Sequence, residues 1–415
     1  GKQGIDMVPR DITARLQSTT DRDAVVIPAS KYPHGYASIR SLAQAGLHTI
    51  VAVSDTSHPL TASRYCDEVV TIPPSWELGA YRDALLGLAA RPDVRTIIPH
   101  RPQEPYLLAK YHDQFSEYVD LAVPSLETLT RVHDRKRLME AAADAGVPAP
   151  RTELLDDAAD WNTDRIIKAR YNLLVDDYVE SVGPDESQIV KHVAHVSADE
   201  SHDSAAIREQ MNHTPIAQAY VDGPEYMIGA LCEHGETVAM YQHRQIRGDS
   251  HTGGGGVYRE TVKNPELEAN ARALLETLEW HGLACIEYVR DADTGAFKPI
   301  ELNPRMWQSL ACATRAGADF PVWYWLQATG RSEQIEPGYD AGVGTHYLGG
   351  ELQHIVSIAR ERSSLVETPS LVGRLREILK SCYECPAFDY LHVDDPSPFL
   401  RQTHMGSIKA ITRRL

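Results

Sequence analysis

Residues 284–309 read ACIEYVRDADTGAFKPIELNPRMWQS, and this pattern predicts a β-hairpin. Ala284 to Arg290 carries β-branched and aromatic residues and makes the first arm. The turn DADTG follows, where Gly295 can take the positive φ that a tight turn wants. Phe297 to Leu302 makes the second arm, which ends at Asn303-Pro304 because proline cannot continue a ladder. Glu301 and Asn303 are two apart and share one face of a strand. If the arms pair symmetrically about Thr294, Glu287 stands opposite Glu301. Two facing carboxylates repel by roughly 0.2–1 kcal/mol or more as a cross-strand pair, a cost that a divalent cation between them removes. Two carboxylates and one amide carbonyl are a partial ligand set for Mg²⁺, with positions left for phosphate oxygens and water. Arg305 follows at a place suited to a phosphate. An isolated E-x-N is usually an acidic hairpin facing solvent. Here the acids sit within the apolar runs Cys285 to Val289 and Pro299 to Leu302, which favours a site.

Composition narrows the class. The chain has 415 residues, 42% hydrophobic, with a mean hydropathy of −0.35, enough for two or three globular domains. No apolar run approaches the ~18–20 residues that span a bilayer, and the N-terminal GKQGIDMVPRD is polar and unlike a signal peptide. The net charge is −17, so no basic stripe exists to neutralise nucleic-acid phosphates. Of 41 basic residues, 10 are Lys and 31 Arg, a bias that either a high-salt cytoplasm or a GC-rich gene explains. Cysteines stand at 66, 232, 285, 312, 382 and 385. Only Cys382 and Cys385 have metal or redox spacing, and without a second ligand pair they read as free thiols in a reducing cytoplasm.

From the N-terminus, residues 1–22 are polar and expected to be flexible. Ala24 to Pro28 reads as a buried strand, Gly35 to Gly46 as a helix ended by glycine, and Thr49 to Val53 as the next strand. This βαβ unit predicts a parallel sheet. Strands at Glu68–Ile72 and Arg95–Pro99, with a helix at about 77–90 between them, extend a Rossmann-like layer over 23–130. Residues 29–35 are no dinucleotide fingerprint, which argues against an NAD enzyme. A helix over about 133–146 has Asp134 as N-cap and Gly146 as stop. Arg165 to Ala169 and Ile189 to Val193 read as strands, each with one lysine, Lys168 and Lys191. A lysine in an apolar strand needs an anionic partner. Gly253 to Gly256 is a run able to present consecutive N–H groups to an anion, and reads as an active-site loop. Residues 265–281 form an amphipathic helix. Residues 311–330 read as one further helix, and 331–415 as a C-terminal appendage with helices at 351–362 and 371–381.

Glu287 with Glu301-Leu302-Asn303-Pro304-Arg305 resembles the metal-binding signature of the ATP-grasp superfamily. The extension Met306 to Leu310 is similar to its branch of carbamoyl-phosphate-synthetase-like proteins and amino-acid ligases. The resemblance covers about 130–330. It implies an α/β fold: a Rossmann-like domain at 23–130, an ATP-grasp small lobe at 131–217, and a large lobe with the metal site at 218–330. It also implies ATP with one or two Mg²⁺ (Mn²⁺ as the alternative) on Glu287, Glu301 and Asn303. Phosphate contacts fall to Lys168, Lys191, and Arg135 or Lys136, with Lys136 put forward. The stretch Ile216–Tyr226 resembles the adenine hinge, with Gln218, Tyr220 and Val221 reading the adenine edge and Glu225 the ribose. The usual glycine-rich phosphate loop after Lys168 is missing, and Gly254 and Gly255 are the candidate substitutes.

The function so implied is a cytoplasmic carboxylate–amine (or thiol) ligase acting through an acyl phosphate, with Arg305, Arg244 and Arg247 as catalytic candidates. Small-molecule substrates are expected, with neither nucleic acid nor membrane as partner, and a homodimer is one option. The alternatives are a carbamoyl-phosphate-synthetase-like carboxylate kinase and a non-catalytic nucleotide-binding regulator.

Overall fold

A computed structural model describes residues 22–412; apart from Arg22, the expectation for residues 1–22 falls outside them. Three sheets organise the chain. The first is wholly parallel, in the order β3-β2-β1-β4. It comprises β1 (Ala24–Pro28), β2 (His48–Val53), β3 (Glu68–Thr71) and β4 (Val94–Ile97), with helices α1 (His34–Gln44) and α2 (Leu78–Ala89) in the crossovers. Strand β1 is buried along its whole length, as a parallel strand covered on both faces must be. The order reverses between β1 and β4, which opens a crevice at their C-terminal ends.

Helix α3 (Arg135–Asp144) leads out of this layer, capped by the Asp134 side chain, which accepts from the N–H groups of Lys136 and Arg137. The second sheet is antiparallel, in the order β5-β8-β6-β7. Its strands are β5 (Thr152–Leu154), β6 (Arg165–Lys168), β7 (Val193–Val196) and β8 (Ile216–Ala219).

The third and largest sheet has the order β13-β12-β9-β10-β11-β14 and is antiparallel throughout. It is built from β9 (Glu225–Glu233), β10 (Glu236–Ser250), β11 (Gly253–Thr261), β12 (Gly282–Arg290), β13 (Phe297–Asn303) and β14 (Gly344–His346). Helix α4 (Pro265–Thr277) puts Leu267, Ala271, Leu274 and Leu275 against Ile228, Ala230, Ile286 and Leu302 on one face. The other face carries Met227, Leu231, Tyr241 and Cys285 against Trp307, Phe320 and Tyr324, continuous with Ile27 and Tyr36 of the first layer. The large sheet is therefore covered on both sides. At Gly229 a Cβ would sit 2.5 Å from the Trp307 ring, so only glycine lets the segment after β13 lie flat on the sheet.

Four expectations are corrected. The Gly253–Gly256 run opens strand β11 and pairs with β10 at Gly248 and Ser250. The strand expected at 189–193 begins at Val193, leaving Lys191 before it. The helix over 311–330 is two, Leu310–Arg315 and Phe320–Ala328, broken where Gly317 takes φ 99°. Residues 331–415 are no separate appendage. They supply β14 to the large sheet, and helices α5 (Leu348–Arg360) and α6 (Leu371–Glu384) follow. Their tail returns to the first layer, where Asp395 accepts from Tyr36 and Ser63 at 2.9 and 2.6 Å. All six cysteines are free. No helix among the described residues is long and apolar enough to cross a membrane.

Candidate active site

Strands β12 and β13 pair in the expected register: Glu287 faces Glu301 and Cys285 faces Asn303. A one-residue irregularity between Glu287 and Tyr288 lets Pro299 be absorbed, and β13 is an edge strand, where a missing N–H is tolerated. Cross-strand partners share a face. Glu287 pairs with Met227 on β9, which pairs with His243 on β10, and Glu225 pairs with Gln245. Strand alternation thus places Glu225, Glu287, Glu301 and Asn303 on one side of the sheet. Asn303 is 6% exposed. The Asn172 side chain lies beside it, donating to the Leu302 carbonyl at 2.9 Å.

Two cations from outside the sheet meet these acids. Arg135, buried at the start of α3, donates to Glu301 at 2.9 Å and to the Ala169 carbonyl at 2.7 Å. Lys168 ends β6 and is 9% exposed. Burial first, then the nearby Arg135 charge, lowers its pKa to about 8, against the pull of Glu301 and Glu287. The two glutamates are held unequally. Burial raises Glu301, but Arg135 and Lys168 outweigh it and hold the group at about 2. Glu287 is itself exposed, but the protein packed around its carboxylate, then Glu301 and Glu225, push it up to about 8. Of the two, Glu301 is the member held ionised and Glu287 the one pushed toward the protonated form. No group of three or more His, Cys, Asp and Glu side chains among the described residues is arranged for a metal. The donors here are two carboxylates and an amide, all hard oxygens, and a cation that replaces the Glu287 proton fits them.

Lys136, the expected phosphate residue, turns outward and pairs with Glu140 one helical turn on. The neighbouring Arg135 takes the inward place. Arg305 follows the hairpin and donates to the Met306 carbonyl at 3.0 Å. The Met306 N–H in turn binds Pro99 of the first layer at 2.9 Å. Its charge acts on Glu287 and also on His34 and His100, so it stands between the acids and the crevice beside β1 and β4. Rings of His34 and His100 stack at 5.3 Å there. This histidine pair went unread, since its members are 66 residues apart in sequence.

Neither remaining arginine reaches the acids. Arg244 pairs with Tyr226, on the face opposite Glu225 and Glu287, and is exposed. Arg247 lies beyond a bulge in which β10 advances two residues, Gln245 to Arg247, while β11 moves one, Arg259 to Tyr258. The bulge inverts the alternation. Arg247 is buried and bidentate with Glu351 of α5 at 2.7 and 3.0 Å, and it bonds Ser381 of α6 at 2.8 Å. It is a tie between elements. The missed Arg259 is fully buried and paired with Asp389 at 2.7 Å.

The hinge residues divide. Gln218 is paired on both sides, with Thr152 and Ile166, and the Tyr220 N–H binds Asp164 at 3.0 Å. Val221 makes no backbone hydrogen bond to another described residue. Gly223 takes φ 149°, and any Cβ would strike the Arg290 carbonyl at 1.9 Å, which seats the hinge on the hairpin turn. Glu225 accepts from Gln245; burial, and then Asp249, raise it to about 7. Lys191 donates to Tyr32 of the first layer at 3.1 Å. Gly254 and Gly255 stand at the β10–β11 hairpin end, where the Gly254 carbonyl accepts from Gln245 at 3.1 Å. The segment after Lys168 packs Leu174, Val179 and Val182 into a small cluster. It is pinned to the first layer by Asp177, which accepts from Tyr106 at 2.6 Å and meets Lys110 at 2.9 Å. It makes no open phosphate cradle.

Comparison with known proteins agrees with this architecture. A family model described as "ATP-grasp in the biosynthetic pathway with Ter operon" matches residues 212–348. Curated protein sequences give no match. Among solved structures, an N5-carboxyaminoimidazole ribonucleotide synthetase in complex with ADP superposes with a TM-score of 0.58 at 15% identity, covering 87% of this chain and 96% of that one. An L-amino acid ligase from Bacillus licheniformis has a TM-score of 0.56 at 14% identity, covering 78% and 79%. A pyruvate carboxylase from Rhizobium etli has a TM-score of 0.54 at 15% identity over 74% of this chain, which spans only 28% of that larger protein. At such identities the likeness is one of fold.

Proposed function

We propose that this chain, residues 212–348 of which match an ATP-grasp family model, is an ATP-grasp protein and an ATP-dependent ligase joining a small carboxylate, such as an amino acid, to an amine or thiol. The observation that carries the reading is the pairing of Glu287 with Glu301 on the face where Lys168 and Arg135 converge. Glu287, Glu301 and Asn303 would hold one or two Mg²⁺, or Mn²⁺, which when bound neutralise charge on the phosphoryl group being transferred. Lys168 and Arg135 would meet the nucleotide phosphates, Arg135 turning from Glu301 as metal takes that carboxylate. Glu225 would accept from the ribose hydroxyls and Val221 would offer backbone groups to the adenine edge. The substrate carboxylate would attack the γ-phosphate, giving an acyl phosphate and ADP. The amine or thiol then adds to the acyl carbon and phosphate leaves, the proton passing to solvent. Arg305 would steady the acyl phosphate and the tetrahedral oxyanion. The acceptor would enter by the crevice beside His34 and His100. Such chemistry suits a cytoplasmic enzyme supplied with ATP.

The test is ADP release from Mg-ATP in the presence of pooled amino acids, other small carboxylic acids and amines. A ligase releases ADP only when carboxylate and acceptor are both present. Release independent of any acceptor would replace this reading with a carboxylate kinase, and no release with any pool would end it.

A further inference from the structure

The side chains assigned to the phosphates are covered. Lys168 and Arg135 are each 9% exposed, and Arg135 spans from Glu301 to the Ala169 carbonyl just past β6. The small sheet therefore lies over the acid pair, and a nucleotide reaches that pair only when the sheet lifts. Strand β7 is the outer edge of this sheet, paired with β6 on its inner side. Along the edge runs the loop that follows helix α5. Ser363 Oγ and His195 Nδ1 are 2.6 Å apart, Ser364 Oγ donates to the His195 carbonyl at 3.3 Å, and Ser197 Oγ donates to the Ser364 carbonyl at 3.2 Å. Glu361 of the same loop accepts from Thr252 at 3.0 Å and from Ser250, both at the β10–β11 hairpin end. The loop thus ties the small sheet to the large one, by hydrogen bonds that water can replace.

We propose that Ser363 and Ser364 clasp the small sheet over the nucleotide site, and that a proton on His195 releases the clasp. This regulation rests on the nucleotide reading of the acid pair. The direction of the central bond follows from its donors and acceptors. Ser363 Oγ accepts from the N–H groups of Leu365 and Val366, each at 3.0 Å. Both of its lone pairs are then taken, so its one proton goes to His195 Nδ1. His195 is therefore the acceptor, a neutral ring with its own proton on Nε2. A proton on Nδ1 would set an N–H against an oxygen with no lone pair to offer, and the bond breaks. The titratable groups on the elements packed here are Tyr220 of the hinge, its ring 6.3 Å from that of His195, Glu200 after β7, and Glu361 and Arg362 of the loop. None of them shifts His195, which burial alone holds below its ordinary 6.5. The clasp is closed at neutral pH and loosens as pH falls through that lowered value.

Release of N-methylanthraniloyl-ADP, bound with Mg²⁺ to the full chain and chased with unlabelled Mg-ADP, tests it by fluorescence. Ser363→Ala should speed release by about three- to tenfold, the range for one lost hydrogen bond, with an unchanged melting temperature. Ser197→Ala, on the lobe side of the clasp, should do the same and covers the case in which Ser363→Ala does not fold. His195→Asn puts a carbonyl oxygen where Nδ1 stands and does not titrate. It should match the wild type at pH 8 and release more slowly than the wild type below pH 6; the Glu287 proton acts on both chains and leaves that difference intact. In the nucleotide-free chain at one fixed pH, amide hydrogen exchange across Val193–Val196 should be faster in Ser363→Ala. Equal exchange in the folded variants, or equal release where the nucleotide binds, overturns the clasp. Wild type and His195→Asn that release alike at every pH overturn its opening by a proton. A wild type that binds no Mg-ADP while its β7 exchange still responds to Ser363→Ala ends the nucleotide reading and with it the gating, and leaves only the contact between loop and sheet.

Discussion

Glu287 and Glu301 face each other with unequal protonation, and that inequality has measurable consequences. Glu301→Gln removes the ionised partner of Arg135 and a hard oxygen ligand in one step. If the pair holds the metal, kcat for ADP release should fall by two orders of magnitude or more, about 3 kcal/mol of transition-state stabilisation, with circular dichroism unchanged. Turnover near that of the wild type would remove the metal assignment. Glu287 gives the second prediction. Its pKa in the folded chain, about 8, stands above its ordinary 4.5. Between those values the metal-free folded state holds a proton that the unfolded chain has released, so stability falls as pH rises through that window. If the pair holds the metal, binding must displace the same proton, so Mg-ADP affinity should rise from pH 6 to 8, by up to about tenfold per unit where one proton competes. Calorimetry in two buffers of different ionisation enthalpy would register the released proton, and a flat affinity would count against the coupling. At this scale the sequence was readable where side-chain direction follows strand alternation, as for Glu287, Glu301 and Asn303. It was unreadable at α3, where Arg135 and Lys136 are adjacent and only the packing of the first turn decides which points inward.

The bulge after Gln245 decides what strand β10 contributes. Strict alternation keeps Arg244 on the far face, and the extra residue carries Arg247 across to α5 and α6. Glu351 is lowered below its ordinary value: burial raises it, but hydrogen bonds from His346 and Arg247 win. The side chains of Arg247 and Glu351 are each 4% exposed, so removing Arg247 leaves buried Glu351 with His346 as its remaining partner. Arg247→Ala should therefore cost about 3–5 kcal/mol of unfolding free energy, read as a lower urea midpoint, while kinetic constants in the folded enzyme stay near wild type. Arg244→Ala should shift stability by no more than about 0.5 kcal/mol. A large loss of kcat in folded Arg247→Ala would restore that residue to the chemistry. The βαβ layer, the hairpin and α4 were legible because period and punctuation agree there. The glycine run was not, because glycine is poor strand material on propensity alone. Pairing with β10 overrides that, with Gly253 and Gly254 taking φ 143° and 96° at the hairpin end.

The whole molecule differs most from its sequence pattern at the C-terminal end. A change of pattern near residue 331 looks like a boundary, but long-range pairs across it leave none. Strand β14 closes the edge of the large sheet beyond β11. Asp389 neutralises the fully buried Arg259, whose Nε donates to the Gly256 carbonyl at 2.9 Å. Asp394 and Asp395 then tie the tail to Arg40, Tyr65 and Tyr36 of the first layer. Contacts this distant cannot be read from local periodicity, since each partner alone is an ordinary surface acid or arginine. They imply that site and tail unfold together. A chain ending at residue 330 would expose the β11 edge and leave Arg259 buried without its carboxylate, a loss of several kcal/mol in a fold whose total margin is about 5–15 kcal/mol. It should therefore be insoluble or fail to show a cooperative melt. Asp389→Asn, which keeps shape but removes charge, should destabilise the full-length chain in one transition that calorimetry sees together with loss of Mg-ADP binding. If the truncated chain instead melts cooperatively and binds Mg-ADP as the full chain does, residues 331–415 are a separable unit and the unity argued from Arg259 and β14 is wrong.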